Sequence, residues 1–343
     1  MSLTVESFEG SPEEWDALLA GFEGATFCHR YGWRSVMEDA LGHETYWMAA
    51  RHPGGTTAAL LPVVRVRSRL FGDYLVSMPF LNYGGAVGSE EGRRALTEWG
   101  RSEAARLGVD LLELRGRTPL AGTDLTDSFR KITVVKDLPD SREELWERGL
   151  KAKVRSQVRR PMKEGMEADF GEHLLEDFYR VFSSTMRDLG TPVLPRSFFE
   201  SILTAFPDTV VLAVVRMNGE SLAGGLGLAW RGEFEITWAG ASRKHSRLAP
   251  NMLLYWSLME ESVRRGMSVF NFGRCSPGSG THRFKRQWGT RDEPLPWLQW
   301  SPGGVPSTPS PDSPKYRAAT AVWSRLPVTV TNVVGPPLSR LLP

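Results

Sequence analysis

Cysteine is scarce in this sequence: Cys28 and Cys275 are the only two among 343 residues. Two cysteines so far apart exclude a disulfide framework and a CxxC-type zinc site, and they fit a reducing compartment. The six histidines do not recur at i, i+4 spacing or beside acids in a metal-binding pattern, so we expect no metal. A GxSxG nucleophile elbow is also missing, and we interpret Cys275 as a small, partly buried residue.

Long apolar runs are missing as well. No uninterrupted stretch of about 18 apolar residues occurs, so the sequence predicts no membrane-spanning helix. The N-terminal stretch MSLTVESFEGSPEEW carries acidic residues where a signal peptide has positive charge, and we therefore expect a cytoplasmic protein. The 42 basic and 40 acidic residues nearly cancel, which leaves a net charge of +2. Electrostatic binding must therefore come from local clusters rather than from the chain as a whole.

The order of predicted elements repeats along the chain. Residues 1–140 have the patterns of helix, helix, hairpin, helix and buried strand, and residues 141–300 repeat this order. The repeat predicts an α/β (α+β) protein of two similar domains, divided near residue 140. Residues 301–314 are rich in Pro, Ser and Gly and predict a linker. Residues 315–343 predict an amphipathic tail that either docks on the body or lies on the inner membrane.

The stretch most suggestive of chemistry is NFGRCSPGSGTHRFKRQWG, residues 271–289. A phosphate-binding loop would need GxxxxGKS or GxxxxGKT before a helix, or GxGxxG after a strand, and neither is present. We do not expect a helix to begin at RFKRQWG. The glycines instead predict a flexible turn, a hinge that carries Arg274, Phe284 and Lys285 to a functional cleft.

A better anion site is predicted one element earlier, where the strand EITWAGAS is followed by RKHSRLAPNMLLYW. Arg243, Lys244 and Arg247 lie on this loop, and a helix begins near Asn251. Free amides and the helix dipole would act with these cations to attract a phosphate. The alternative is a solvated basic loop. Tyr255, one turn into the helix, is either a proton donor to a reacting group or part of the core.

A second basic segment covers residues 151–163. It predicts a helix with six Lys and Arg residues, and Pro161 should kink or end that helix. Such a face would bind RNA, a polyphosphate or anionic lipid, or it would simply be solvated. The pattern alone leaves both interpretations open.

A resemblance to one family extends over most of residues 1–300. Four separated stretches carry it: LVSMPFLNYGG, FYRVFSSTMRDLGTPV, NMLLYWSLMEESVRRGMSVFNFGR and GSGTHRFKRQWG. They resemble the FemAB-like proteins, in particular the type that accompanies exosortase and PEP-CTERM systems in bacteria that make exopolysaccharide. The resemblance implies two tandem GNAT-like domains, each a mixed, mostly antiparallel sheet flanked by helices. FemABX members transfer an amino acid from aminoacyl-tRNA to an amine on a peptidoglycan precursor.

The resemblance implies an N-acyltransferase or aminoacyltransferase whose acceptor is a small-molecule or lipid-linked precursor of the cell envelope or of exopolysaccharide. The Phe284–Lys285 pair matches the Phe-Lys that helps to stabilise the oxyanion of the tetrahedral intermediate. Asn82 and Tyr83 of the first domain and Arg274 of the second would contact the acceptor in a cleft between the domains. The donor would enter at residues 243–251.

Two departures from the family leave the donor open between acyl-CoA and aminoacyl-tRNA. No segment sustains the heptads of the coiled-coil arm that some Fem proteins use for tRNA. The segment RKHSRLA stands where GNAT proteins carry their pyrophosphate signature, and it lacks both glycines of that signature. The competing interpretation is a non-catalytic GNAT-like module that recognises a surface-polysaccharide intermediate or scaffolds an assembly. The imperfect signature favours that module, whereas the retained Phe-Lys and Trp-Gly pairs favour an enzyme.

Overall fold

The computed structural model describes residues 3–304 and 314–342, so most of the predicted linker lies outside the described residues. The strands are β1 (Thr4–Ser7), β2 (Glu44–Arg51), β3 (Thr57–Ser68), β4 (Gly72–Val76), β5 (Val87–Gly88), β6 (Leu111–Arg115), β7 (Thr126–Ser128), β8 (Ile132–Asp137), β9 (Glu167–Phe170), β10 (Val210–Met217), β11 (Glu220–Trp230), β12 (Glu233–Ala241), β13 (Val269–Cys275), β14 (Arg291–Pro294) and β15 (Trp297–Trp300). The helices are α1 (Pro12–Ala20), α2 (Trp33–Ser35), α3 (Glu90–Leu107), α4 (Arg142–Glu147), α5 (Ala152–Lys163), α6 (Leu175–Asp188), α7 (Arg196–Ala205), α8 (Pro250–Arg264), α9 (Gly280–Arg286), α10 (Pro314–Trp323) and α11 (Val328–Ser339).

These elements are divided between two compact units. Within the described residues the first unit consists of 3–131, 294–304 and 340–342, and the second consists of 132–293 and 314–339. The division differs from the predicted one in two strands. β8 precedes residue 140 but pairs with β13, and β15 lies just before residue 300 but pairs with β6. Each sheet therefore contains one strand that the sequence pattern assigned to the other domain.

The first unit is built on a sheet with the strand order β1-β2-β3-β4-β6-β15-β7, and β5 also pairs with β3. β4 and β6 are parallel, and the other pairs of this sheet are antiparallel. α3 begins because the Ser89 side chain accepts from the Gly92 amide, and it ends at Gly108, whose φ of 66° is left-handed. Its buried Leu96 and Ala104 complete the apolar core of this unit.

The second unit is built on a sheet with the order β14-β8-β13-β12-β11-β10-β9. β12 and β13 are parallel neighbours. On β11, a Cβ at Gly224 would meet Phe178 of α6, whereas a Cβ at Gly225 would meet Leu254 and Leu258 of α8. Successive residues of a strand point to opposite faces, so α6 and α8 cover opposite faces of this sheet. The two sheets confirm the predicted fold class.

The described part of the tail contains α10 and α11. α11 packs against α6, and its buried residues are Thr331, Gly335 and Ser339. Gly335 permits a close approach, because a Cβ there would lie 3.1 Å from the backbone nitrogen of Val193. α11 thus docks on the second unit, which was one of the two predicted alternatives for the tail. Among the described residues no helix combines the length and the apolar character needed to cross a bilayer.

Candidate active site

The second sheet opens between its parallel strands. β12 and β13 pair only from Glu233–Val269 to Glu235–Asn271, although β12 continues to Ala241 and β13 to Cys275. Because the strands are parallel, their carboxyl ends lie at the same edge of the sheet, where α/β proteins commonly bind ligands. On β12, beyond the last pair, the buried hydroxyl of Thr237 has no hydrogen-bond partner among the described residues. The opening therefore offers separated strand edges and a free polar group.

A β-bulge shapes β13 at this opening. Asn271 pairs with Val135 and Arg274 with Thr133, so two residues of β13 face one residue of β8. Gly273 adopts a left-handed φ of 72° within the bulge. The buried Asn271 side chain stabilises the bulge, because its Oδ1 accepts from the Gly273 amide at 2.8 Å and from the Thr133 hydroxyl at 2.6 Å. The bulge turns the carbonyls of β13 away from the regular ladder.

Residues 280–286 form a helix, so the prediction that no helix begins here was wrong. The Ser279 side chain accepts from the His282 amide at 3.1 Å and caps α9. His282 also lies 3.0 Å from a carboxylate oxygen of Asp292, which ties the helix to β14. The Gly-Ser-Gly segment is thus a turn that ends in a helix cap, and this fixes the orientation of α9.

α9 places Lys285 against the bulge of β13. Its Nζ donates to the carbonyl of Gly273 at 2.7 Å and to that of Arg274 at 3.0 Å, and the side chain is 3% exposed. Burial lowers the pKa of Lys285 to about 8, against the opposing influence of Cys275 and Glu235. An ammonium group has three N–H donors, and these two carbonyls accept two of them. A cation fixed in this way can stabilise a developing oxyanion.

Phe284 and Tyr255 lie together in an aromatic cluster. The Tyr255 ring stacks on Phe272 with centroids 5.4 Å apart, and it meets Phe284 edge-on at 5.1 Å. Burial raises the pKa of the Tyr255 hydroxyl. These contacts give Tyr255 and Phe284 a packing role beside Lys285. A role for Tyr255 as a proton donor stays a prediction.

The predicted anion loop leads into a cavity of about 360 Å³. Arg243 and Asn251 both line this cavity, whereas Lys244 and Arg247 are exposed and do not. α8 begins with Pro250, which has no N–H, and the Met252 amide donates to the carbonyl of Ala249 at 2.9 Å, so the amide of Asn251 is the first one that a phosphate could bind. The structure therefore brings two of the four predicted donor-site residues together. Asp188 also lines the cavity, with a carboxylate oxygen 2.8 Å from the neighbouring Arg187.

The predicted basic helix is α5, and its cations divide into two groups. The Arg155 guanidinium donates to the carbonyls of Trp146, Glu147 and Leu150, and Arg159 lies over the Trp146 ring at 5.2 Å. These two arginines therefore stabilise the α4–α5 turn. The remaining basic residues of the segment are exposed: Lys151, Lys153, Arg160 and Lys163.

In the first unit, Asn82 and Tyr83 are buried on the loop after β4, 5% and 1% exposed respectively. The buried Arg115 holds this loop, because it donates to the carbonyls of Met78 and Leu81. Arg115 is paired in turn with Glu113 at 2.8 Å. This ion pair is not among the residues predicted from the sequence. Two opposite charges at alternate positions of the apolar run LLELR were the signal that could have indicated it.

Backbone strain marks the same loop. Met78 and Phe80 have left-handed φ angles of 54° and 69°, which side chains larger than glycine seldom adopt. Such strain persists only where surrounding contacts impose it, and it is common at ligand sites. Arg117 lies over the Tyr83 ring at 5.3 Å and adds a further contact. The loop is therefore rigidly held, which is compatible with the predicted acceptor role of Asn82 and Tyr83.

Comparison with known proteins gives a consistent result for the fold. Residues 151–286 match the family model described as acetyltransferase (GNAT) domain. The fold is that of tandem GNAT proteins. The crystal structure of FemX has a TM-score of 0.64 and 13% identity, over 86% of this chain and 97% of that one. The tandem GNAT-like fold that the FemAB resemblance implies is thereby confirmed.

Two further structures have the same architecture. The structure of L-PGS from Bacillus licheniformis has a TM-score of 0.57 and 15% identity, over 93% of this chain and 99% of that one. A tandem GNAT protein from the clavulanic acid biosynthesis pathway has a TM-score of 0.57 and 11% identity, over 90% of this chain and 100% of that one. No curated protein matches the sequence. Identities this low establish the fold alone, and the matched GNAT domain supports the predicted acyltransferase.

Proposed function

We propose that the protein is an N-acyltransferase or aminoacyltransferase of FemAB type that acts on an amine of a cell-envelope or exopolysaccharide precursor. The observation that carries the proposal is Lys285, whose ammonium is held on the bulge of β13 beside the opening between β12 and β13. A buried cation at the carboxyl edge of parallel strands is well placed for a reaction that builds negative charge on oxygen.

The reaction follows from this placement. The donor carbonyl lies in the opening, and the acceptor amine attacks its carbon. A C–N bond forms, the C–S or C–O bond to the donor breaks, and the amine loses a proton as the thiol or hydroxyl leaves. In the tetrahedral intermediate the carbonyl oxygen is negative, and the third N–H of Lys285 donates to it. One donor of this kind accelerates acyl transfer by about 10²–10³-fold.

The donor binds at the cavity of Arg243 and Asn251. β12 leads directly into this loop, so its carboxyl end connects the cavity to the opening. Acyl-CoA and aminoacyl-tRNA both carry phosphates, which Arg243 and the amide of Asn251 would bind. We favour acyl-CoA because residues 151–286 match a GNAT acetyltransferase domain. Arg274 is the acceptor contact that we propose in the second unit, and the roles of Asn82 and Tyr83 in acceptor binding stay predictions.

Calorimetry with acetyl-CoA and with aminoacyl-tRNA tests the donor site. We expect wild type to bind one of them and Arg243→Ala to bind it about tenfold more weakly, since a charge-assisted hydrogen bond contributes roughly 1.5 kcal/mol or more. Arg247→Ala is the matched control, because it removes the same charge from the same loop outside the cavity.

A failure of both donors to bind, together with tight binding of a glycan precursor, would leave the alternative function. That alternative is a non-catalytic GNAT-like module that recognises a surface-polysaccharide intermediate. One observation favours it: the donor loop has Ser246 and Leu248 where glycines would let phosphate approach the backbone.

A further inference from the structure

The first unit contains a second cavity, of about 340 Å³, that acyl transfer does not use. Three guanidinium groups line it, from Arg65, Arg67 and Arg340, together with the imidazole of His43 and a single carboxylate, that of Glu44. Basic groups so outnumber acidic ones here that the cavity has a strong preference for an anion.

The hydrogen bonds show which of these groups are free. Arg65 is neutralised, because it binds both carboxylate oxygens of Asp73, at 3.0 and 2.6 Å, and lies 3.7 Å from Glu44. Arg67 and Arg340, in contrast, have no acidic partner anywhere in the described part of the chain. The cavity thus keeps two uncompensated cations.

His43 adds a buried hydrogen-bonding group to these cations. Its side chain is 9% exposed, and its Nε2 has no hydrogen-bond partner among the residues the structure describes. Burial and then the charge of Arg340 lower the pKa of His43 to about 4, against the opposing effect of a hydrogen bond to the Arg340 backbone, so the ring is neutral at neutral pH. A buried polar atom without a partner is costly unless a ligand satisfies it.

The hairpin that supplies Arg67 also exposes apolar side chains at its tip. β3 and β4 pair up to Ser68 opposite Gly72. Leu70 is 76% exposed and Phe71 is 40% exposed. The Ser68 hydroxyl accepts from both of their amides at 3.1 Å, which gives the turn a defined shape. Exposed apolar residues beside arginines are typical of surfaces that enter the interface of an anionic bilayer.

We propose that the β3–β4 hairpin docks on an anionic phospholipid bilayer, with Leu70 and Phe71 in the acyl-chain boundary and a lipid phosphate between Arg67 and Arg340. Guanidinium groups suit this ligand, because they bind phosphate oxygens in pairs. The proposal does not depend on acyl transfer.

Vesicle flotation of the full-length protein tests the proposal. Vesicles of phosphatidylcholine alone are compared with vesicles that contain about a third phosphatidylglycerol. We expect wild type to float only with the anionic vesicles. Each arginine at such a surface contributes a factor of about five, so Arg67→Ala with Arg340→Ala should weaken partitioning about 25-fold. Leu70→Ser with Phe71→Ser should abolish flotation. Both double variants replace exposed side chains, so we expect them to fold.

Matched variants locate the surface. Lys153→Ala with Arg160→Ala removes the same charge from the exposed face of α5 and should leave flotation unchanged. Val330→Ser with Val333→Ser alters exposed valines of α11, 41% and 74% exposed, and should also have no effect. Loss of flotation in either of these variants, with the hairpin variants still floating, would overturn the proposal and move the membrane surface to that helix.

Inorganic phosphate distinguishes the lipid from a small anion. If millimolar phosphate raises the melting temperature of wild type but not of the Arg67, Arg340 variant, and no vesicle is bound, the cavity is a site for a soluble phosphate and the proposal is wrong. Unchanged circular dichroism and donor binding in the hairpin variants will show that they are folded.

Discussion

Replacement of Lys285 provides the sharpest test of the active site. Lys285→Met removes the ammonium but keeps a flexible side chain of similar length, so the cavity left behind is small. The lost donor to the oxyanion should reduce kcat by about 10²–10³, or about 3–4 kcal/mol of transition-state stabilisation, with little change in KM. Steady-state release of CoA thiol measures both constants. A variant rate within about threefold of wild type would refute the oxyanion role.

The pH profile separates the two roles that a buried lysine can have. With the pKa of Lys285 at about 8, an oxyanion donor is active in its protonated form, so the wild-type rate should fall above pH 8. A general base would show the opposite limb, a rate that rises to pH 8. Lys285→Arg keeps its charge throughout this range and should lack the decline, even if its larger side chain lowers the rate.

The same pKa affects stability, with a sign that can be worked out. The folded-state pKa lies below the ordinary value of 10.5, so between about pH 8 and 10.5 the unfolded chain binds more protons than the folded chain. Stability should therefore increase with pH across this window, by about 3 kcal/mol if the whole shift is expressed. Urea titrations at several pH values measure the free energy of unfolding of wild type and of Lys285→Met, and the difference between the two should change with pH. A difference that is independent of pH would contradict the burial of the charged amine.

Three further outcomes are expected. Arg243→Ala should raise the KM for the phosphate-bearing donor about tenfold, with a smaller effect at high salt, and Arg247→Ala should not. Ala249→Gly should tighten donor binding and leave thermal stability equal or higher, because Ala249 has a left-handed φ of 56° that glycine adopts freely. Asn271→Ala should destabilise the fold by about 2–4 kcal/mol in urea unfolding, because it leaves the Gly273 amide and the Thr133 hydroxyl without their buried partner.

Local sequence patterns were sufficient to predict most of the fold. Helix α8 and strand β13 follow from apolar periodicity, and the repeat of element order indicated two similar halves. The start of α9 was missed because its glycines outweighed the one capping signal, Ser279. The burial of Lys285 could not be predicted from its neighbours, since RFKR is typical of an exposed segment. That burial depends on carbonyls of a bulge that only the pairing of β13 with β8 creates.

The pairing of β8 is the feature that sequence patterns could not supply, because a short apolar strand fits the edge of either sheet equally well. It leads to a prediction about fragments of the chain. Residues 132–339 should fold alone and bind the donor, whereas residues 141–339, cut at the boundary that the sequence suggests, should not. The nine residues removed include the buried Val134 and Val135 and the Thr133 partner of Asn271.

Burial of two valines contributes about 3–6 kcal/mol, a large part of the 5–15 kcal/mol that stabilises a typical domain. The loss of β8 also exposes the edge of β13 and detaches β14, so the shorter fragment should aggregate. Circular dichroism melts and sedimentation of the two fragments decide the matter. If both melt at the same temperature with equal cooperativity, β8 contributes little to the second unit, and the bulge that holds Lys285 must be stabilised from within β13 and α9 alone.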